Sequence, residues 1–204
     1  MPKITGNSLA EHREITREAI FDAFSHLLTT KGFDSISMSA LATEANIGRT
    51  ALYNHFQDKE DILVAYVEYE MHRYLTKLKD NLSKATSPEE KLRVYARAQL
   101  LAKRGYLFSP GAPLRDVVSE RTALALREHV KTTSQVLRGI LEECVDLGLI
   151  PDQDLGVTVQ LVHSSLTVRH IPATEPERTA FFEATEAFVL RSIGIRESGA
   201  AGRR

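Results

Sequence analysis

One stretch of the chain carries side chains whose types and spacing could do chemistry. It runs from Ile47 to Leu63 and contains Arg49, Thr50, Tyr53, Asn54 and Lys59. Read as a helix, it turns Leu52 and Phe56 inward with Leu41 and Ala42, and turns Arg49, Thr50, Tyr53 and Asn54 outward. The outward face is rich in donors and acceptors yet nearly free of net charge, which suits base edges in a DNA major groove. Arg49 is the natural reader of guanine, and Asn54 or Thr50 could read adenine or phosphate. Lys59 could hold a phosphate, helped by the backbone amides at the start of the helix that follows. An ordinary surface helix turn would show the same spacing, and periodicity alone does not choose between the two.

Other chemistry finds little support. None of the seven histidines lies three or four residues from another, and neither a His-Glu-x-x-His run nor a cysteine pair occurs. His163 and His170 share a helix face but stand two turns apart, about 10 Å, too far for one metal within a chain. A site shared across a dimer stays open, as does His163 serving as a polar handle in a ligand pocket. Cys144, the one cysteine, lies four after Ile140 on an apolar face and reads as a buried thiol. With no nucleophile elbow, phosphate loop or dinucleotide fingerprint, no catalytic residue, metal or cofactor is expected.

The elements that must position the Arg49 face are helices. No stretch alternates as a strand would, and helical periodicity dominates. Ser8-Leu9-Ala10-Glu11 is a capping box, opening a first helix whose stripe is Ile15, Ala19, Ala23, Phe24, Leu27 and Leu28. Gly32 stands at its expected left-handed end. Ser37 can cap a short second helix with Met38, Leu41, Ala42 and Ala45 inward. Asn46 occupies a left-handed position, and Gly48 can start a third helix over about Arg49 to Phe56. Two short helices across so tight a turn form a helix-turn-helix. Asp58 caps a long fourth helix with Ile62, Leu63, Tyr66, Val67, Tyr74, Leu75, Leu78 and Leu82 on one face.

Taken together, Gly32-Phe33, the Ser37-to-Ala45 helix, Leu52-Tyr53-Asn54-His55-Phe56 and Asp58-Lys59-Glu60 resemble the tetracycline-repressor (TetR) family of bacterial regulators, over Ile15 to about Leu63. The resemblance implies an all-α dimer with an N-terminal three-helix DNA-binding domain and a larger, divergent ligand-binding domain. Position by position it places Ser37 and Ser39 at the DNA, with Arg49, Thr50, Tyr53, Asn54 and His55 from the third helix and Lys59 just beyond. Asn46 stands where the family usually has glycine. Gly48 replaces its usual capping serine or threonine, which removes one phosphate contact.

Beyond the fourth helix the chain matches that family in helix count and length. Ser87-Pro88-Glu89-Glu90 starts a fifth helix running to about Lys103. A break follows at Gly105 to Pro113, then a short helix and a long one broken near Glu120 and stopped by Gly148. Asp152 is expected to open the penultimate helix, and a capping box at Thr174 to Glu177 the last. Leu155, Val159, Val162, Leu166 and Arg169 form a packing seam on the first of these, and Phe181, Phe182, Thr185, Phe188 and Val189 lie on the second. The family pairs these two helices in a homodimer, and internal packing is the alternative. A pocket for a small, largely apolar effector would draw on Leu100, Leu101, Tyr106, Phe108, Val136, Leu137, Ile140 and His163, the same residues that could simply fill a core.

The chain has 204 residues, 43% of them hydrophobic and 26% charged, which excludes collagen-like, disordered and disulfide-rich classes. Net charge is −1, and residues 1–60 carry six Lys or Arg against eight Asp or Glu, so a DNA reading rests on local geometry and not bulk charge. The longest uncharged run, Leu155 to Val168, is too short and too polar for a membrane span. With no apolar leader after Met1, a cytoplasmic protein is expected. The expected organisation is all-α with about nine helices: residues 1–57 for DNA, 58–195 for ligand and dimer, and a disordered tail at 196–204. The leading function is a transcriptional repressor released from a palindromic operator by a small molecule. The alternatives are a regulator of the same fold without such an inducer and, more remotely, a helical enzyme or carrier.

Overall fold

The computed structural model of the chain describes residues 9–102, 118–167 and 171–195. Among these the secondary structure is eight α-helices and one 3-10 turn, with no strand. The helices are α1 (Leu9–Lys31), α2 (Met38–Glu44), α3 (Arg49–Tyr53), α4 (Lys59–Lys84), α5 (Pro88–Ala102), α6 (Glu120–Asp146), α7 (Leu155–Ser165) and α8 (Glu177–Ser192), with the 3-10 turn at Phe33–Ser35. No described helix is long and apolar enough to cross a membrane. The described residues fall into two compact units, one running to Met71 with 118–127 added, the other from His72 to residue 102 and from Glu128 onward.

In the first unit α1 packs on α2 and on the 3-10 turn, and α2 on α3. Its core is aromatic at the centre. Phe21 meets Phe56, Tyr66 and Tyr69 at 6.0, 5.9 and 5.0 Å between ring centroids, and Phe24 meets Phe33 and Tyr66 at 6.4 and 5.4 Å. The buried stripe of α1 starts at Ile20 and Phe21, while Ile15 is 40% exposed. The expected stripe was thus placed too early: Ile20, Phe21, Phe24, Leu27 and Leu28 share the inward face, and Ile15 is rotated off it. Gly32 takes φ 77° and donates to Leu28 O at 3.2 Å, ending α1 as expected. The cap expected at Ser8 lies outside the described residues.

The second unit has a core built from the later part of α4 (Leu78), α5 (Leu92, Tyr95, Ala96, Leu100), α6 (Leu137, Ile140, Leu141, Cys144), α7 (Val159, Val162) and α8 (Phe182, Val189, Leu190). Each Leu, Ile, Val or Phe among them removed from water contributes about 1.5–3 kcal/mol before chain entropy is set against it. α5 packs on α8, and the contact is charge-locked: Arg97 Nε donates to the buried Glu186 carboxylate at 2.6 Å. Lys91 and Glu143 join α5 to α6 at 2.7 Å.

The long helix starts at Glu120, where the break was expected, and two other helix starts differ from expectation. α6 runs unbroken from Glu120, and the short helix expected before it lies outside the described residues. α7 is capped by Asp154 and not Asp152, because Asp154 immediately precedes the helix and its carboxylate accepts the Gly156 and Val157 amides at 2.8 and 3.1 Å. The capping box at α8 does not form. Thr174 donates its hydroxyl to Glu177 at 3.1 Å, and Glu175, not a Thr174 oxygen, takes the Thr179 amide at 3.1 Å. The Leu155-to-Leu166 seam of α7 is mostly internal, since Val159, Val162 and Leu166 are buried in the chain's own core, as are Phe182 and Val189 of α8. Arg169 and the tail beyond Ile195 lie outside the described residues.

Candidate nucleic-acid interface

The interface is built from the turn that orients α3. Ser37 has extended backbone, and its hydroxyl accepts the Ala40 amide at 3.2 Å, so it serves as the N-cap of α2 while staying exposed. Beyond Ala45, Asn46 adopts φ 54°, the left-handed conformation expected of it. The Ile47 amide then returns to Ala42 O at 2.9 Å and closes the end of α2. Gly48 starts α3 from extended backbone with no side-chain cap.

α3 is one and a half turns long, and Leu52 pins it to the core. Around that anchor the structure brings together Arg49, Thr50, Tyr53 and Asn54, all exposed, with Ser39 exposed on α2. Tyr53 is 47% exposed, which is high for an aromatic side chain and consistent with an uncovered contact face. Set on a rigid base, a short helix with this polar face can present hydrogen-bonding groups to base edges.

Two of the expected contacts are placed differently. His55 is half-buried beside Phe56, centroids 6.3 Å apart. Burial first, then the positive charge of Arg13, Arg17 and His12, holds its pKa below the usual histidine value, against a smaller opposing effect of Glu14. It is therefore a neutral ring against α1 at neutral pH and not part of the exposed set. Lys59 has its ammonium directed at the chain itself. Nζ donates to the carbonyls of Phe33 and Asp34 at 3.1 and 3.2 Å and lies 4.6 Å from the Phe33 ring centroid. Asp58, as expected, caps α4 through the Glu60 and Asp61 amides at 2.8 and 2.9 Å.

Of the residues expected around an effector, four lie in or against the core of the second unit. Leu100, Leu137 and Ile140 are buried in the core of the second unit, with Val136 packed against it. Leu101 is 53% exposed and outside that core, because α5 turns it about 100° away from Leu100. Tyr106 and Phe108 lie outside the described residues. His163 joins a polar cluster that was not legible in advance: its Nε2 is 2.6 Å from the Tyr95 hydroxyl, which also contacts Thr133 O at 3.1 Å and Gln99 Nε2 at 2.9 Å. The hydroxyl has one proton and two lone pairs. With that proton given to Thr133 O, the three contacts coexist as hydrogen bonds only if Gln99 and His163 both donate, which puts the histidine proton on Nε2. Burial raises the Tyr95 pKa, keeping the phenol neutral. The i, i+4 pair Tyr95 and Gln99 on an otherwise apolar helix face was the only signal in the sequence.

A helix-turn-helix with an uncovered polar recognition helix, carried by an all-helical second unit, defines a DNA-binding transcriptional regulator. Residues 20–66 match the family model of bacterial regulatory proteins of the TetR family. Over those residues the chain is similar to that family. It is 24% identical over 154 residues to the fatty acid metabolism regulator protein of Bacillus subtilis, covering 72% of this chain and 75% of that one. Its fold is similar to the fatty acid degradation regulator FadR from Bacillus halodurans, with TM-score 0.73, 19% identity, and 95% of this chain and 100% of that one covered. It is similar also to FadR from Bacillus subtilis in complex with stearoyl-CoA, with TM-score 0.69, 17% identity, and 86% and 98% covered.

Proposed function

We propose that the protein is a repressor that binds a palindromic operator as a homodimer and is released by a small, largely apolar ligand. The observation that carries the reading is the α3 surface, with Arg49, Thr50, Tyr53 and Asn54 displayed over the buried Leu52. Two such helices per dimer would enter successive major grooves, with half-sites about 34 Å apart. The dimer face we assign lies on the outer sides of α7 and α8. Val157 and Leu161 are exposed one turn apart on α7, Leu161 by 65%, and on α8 the exposed Ala180, Ala184 and Phe188 follow one another at intervals of four. Phe188 was among the residues expected on these faces, whereas Val159 and Val189 are buried in the chain's own core.

For the ligand we propose a long-chain acyl thioester. Its support is the likeness to regulators of fatty acid metabolism, one of them holding stearoyl-CoA, together with the apolar make-up of the second unit. A hundredfold loss of operator affinity requires the ligand to favour the non-binding state a hundredfold, or about 2.7 kcal/mol. The test is fluorescence anisotropy on a duplex that the protein itself has selected from a random pool, titrated with stearoyl-CoA and with coenzyme A alone. Release by the first and not the second is expected. Operator binding that neither compound alters would favour a regulator of the same fold without this inducer.

A further inference from the structure

The first turn of α4 is a junction, and every group that meets there belongs to the first unit. The Gln57 amide, just past α3, donates to Asp61 Oδ2 at 3.2 Å. Lys59 reaches the Phe33 and Asp34 carbonyls, in the turn that leads into α2. Glu60 engages the start of α6. Its carboxylate accepts the Ser119 amide at 3.1 and 3.2 Å, the Ser119 hydroxyl at 2.5 Å and the Thr122 hydroxyl at 2.6 Å. Thr122 is itself buried.

A helix needs no such partner to begin. Ser119 already caps α6, with its hydroxyl taking the Thr122 amide at 3.3 Å and its carbonyl the Ala123 amide at 2.9 Å. Glu60 adds a second cap from another helix, and a carboxylate at a helix N-terminus is favoured by the macrodipole. The Ser119 and Thr122 hydroxyls hold the Glu60 pKa below the usual carboxylate value, so the group is ionised at neutral pH. From Glu120 the same helix runs unbroken to Asp146, and its Leu137, Ile140, Leu141 and Cys144 belong to the second unit's core.

From this arrangement we propose that Glu60 is a positioning residue that makes the placement of α2 and α3 follow the start of α6. Lys59 and Glu60 are consecutive in one helical turn, so a pull on the Glu60 carboxylate moves the Lys59 hook and the 33–36 turn with it. A shift of a few tenths of an ångström matters there, because a direct hydrogen bond to a base edge tolerates only about 2.7–3.2 Å. A carboxylate that merely capped α6 would leave the far side of α4 undisturbed.

The experiment maps backbone amide shifts by 1H–15N NMR in the full chain, free of DNA and ligand. Thr122→Val is nearly isosteric and removes one hydroxyl; Glu60→Gln keeps the side-chain size and removes the charge. Both are expected to shift the amides of Phe33 to Ile36 and of Gln57, besides those of 119–126. Both should also weaken binding to the selected duplex three- to tenfold. Changes confined to 118–126, with operator affinity unaltered, would overturn the proposal. A further arm, which rests on the ligand reading above, compares the affinity ratio with and without stearoyl-CoA; Thr122→Val should reduce it at least threefold. If stearoyl-CoA leaves wild-type binding unchanged, the acyl thioester reading fails, and the amide map still decides the role of Glu60.

Discussion

Replacing Lys59 by Met separates two roles that the sequence leaves fused. As a phosphate contact, Lys59 would add affinity for any DNA and nothing to the fold. In the structure its ammonium makes two charge-assisted hydrogen bonds to the Phe33 and Asp34 carbonyls and sits 4.6 Å from the Phe33 ring centroid. The site is partly exposed, so each bond contributes about 1.5 kcal/mol, the low end of the range, and the ring contact about 0.5 kcal/mol. Immobilising the lysine stem offsets about 1.5 kcal/mol of that sum. The net is about 2 kcal/mol, which Met gives up while keeping most of the stem's packing. With a urea dependence near 2 kcal/mol per molar, the midpoint should fall by about 1 M, read by circular dichroism. Operator affinity should drop for all sequences alike through misplacement of α2, with an unchanged slope of log affinity against log salt. Unaltered stability with a slope reduced by about 0.9 would refute this reasoning and return Lys59 to the phosphate role.

Three other outcomes follow from particular contacts. A Cβ at Gly48 meets nothing within 4 Å and the backbone there is already extended, so Gly48→Ser should stabilise the protein by a few tenths of a kcal/mol in urea unfolding, through a new cap on α3. Phe188 is 52% exposed, so Phe188→Glu should leave the helical content intact while raising the dimer dissociation constant at least thirtyfold, a cost of about 2 kcal/mol, by analytical ultracentrifugation. The Cys144 thiol is buried, and burial followed by the charges of Glu143 and Glu89 pushes its pKa up to about 11, so a thiol reagent at pH 8 should label it only on unfolding.

Legibility in the sequence followed the range of the forces involved. The end of α1 at Gly32, the left-handed Asn46 and the cap at Asp58 are set by residues within four positions, and they were readable. So was the outward face of α3, because Leu52 and the helical period leave Arg49, Thr50, Tyr53 and Asn54 nowhere else to point. The last helices show where such reading stops. Apolar spacing identified Val159 and Val162 as a packing seam but could not say whether the partner was this chain or a second copy, and the structure places both in the chain's own core. The Glu60 contacts were invisible for a different reason. They join residues 59 and 62 positions apart, and Glu60 itself is of a type ordinarily left to solvent in the first turn of a helix. The placements of the His55 and Lys59 side chains were likewise set by tertiary neighbours, α1 in one case and the 33–35 turn in the other.

The central claim, that α3 reads DNA sequence in a two-fold symmetric protein, is tested most directly by selecting binding sites from random duplex DNA with the wild type and with Arg49→Ala. The wild type should enrich an inverted repeat with half-site centres about 34 Å apart or somewhat more. Arg49→Ala should bind it about 1–3 kcal/mol more weakly and lose its preference at one base pair in each half-site, leaving the other positions as selective as before. An asymmetric site, or a consensus and affinity that Arg49→Ala leaves unaltered, would contradict the account.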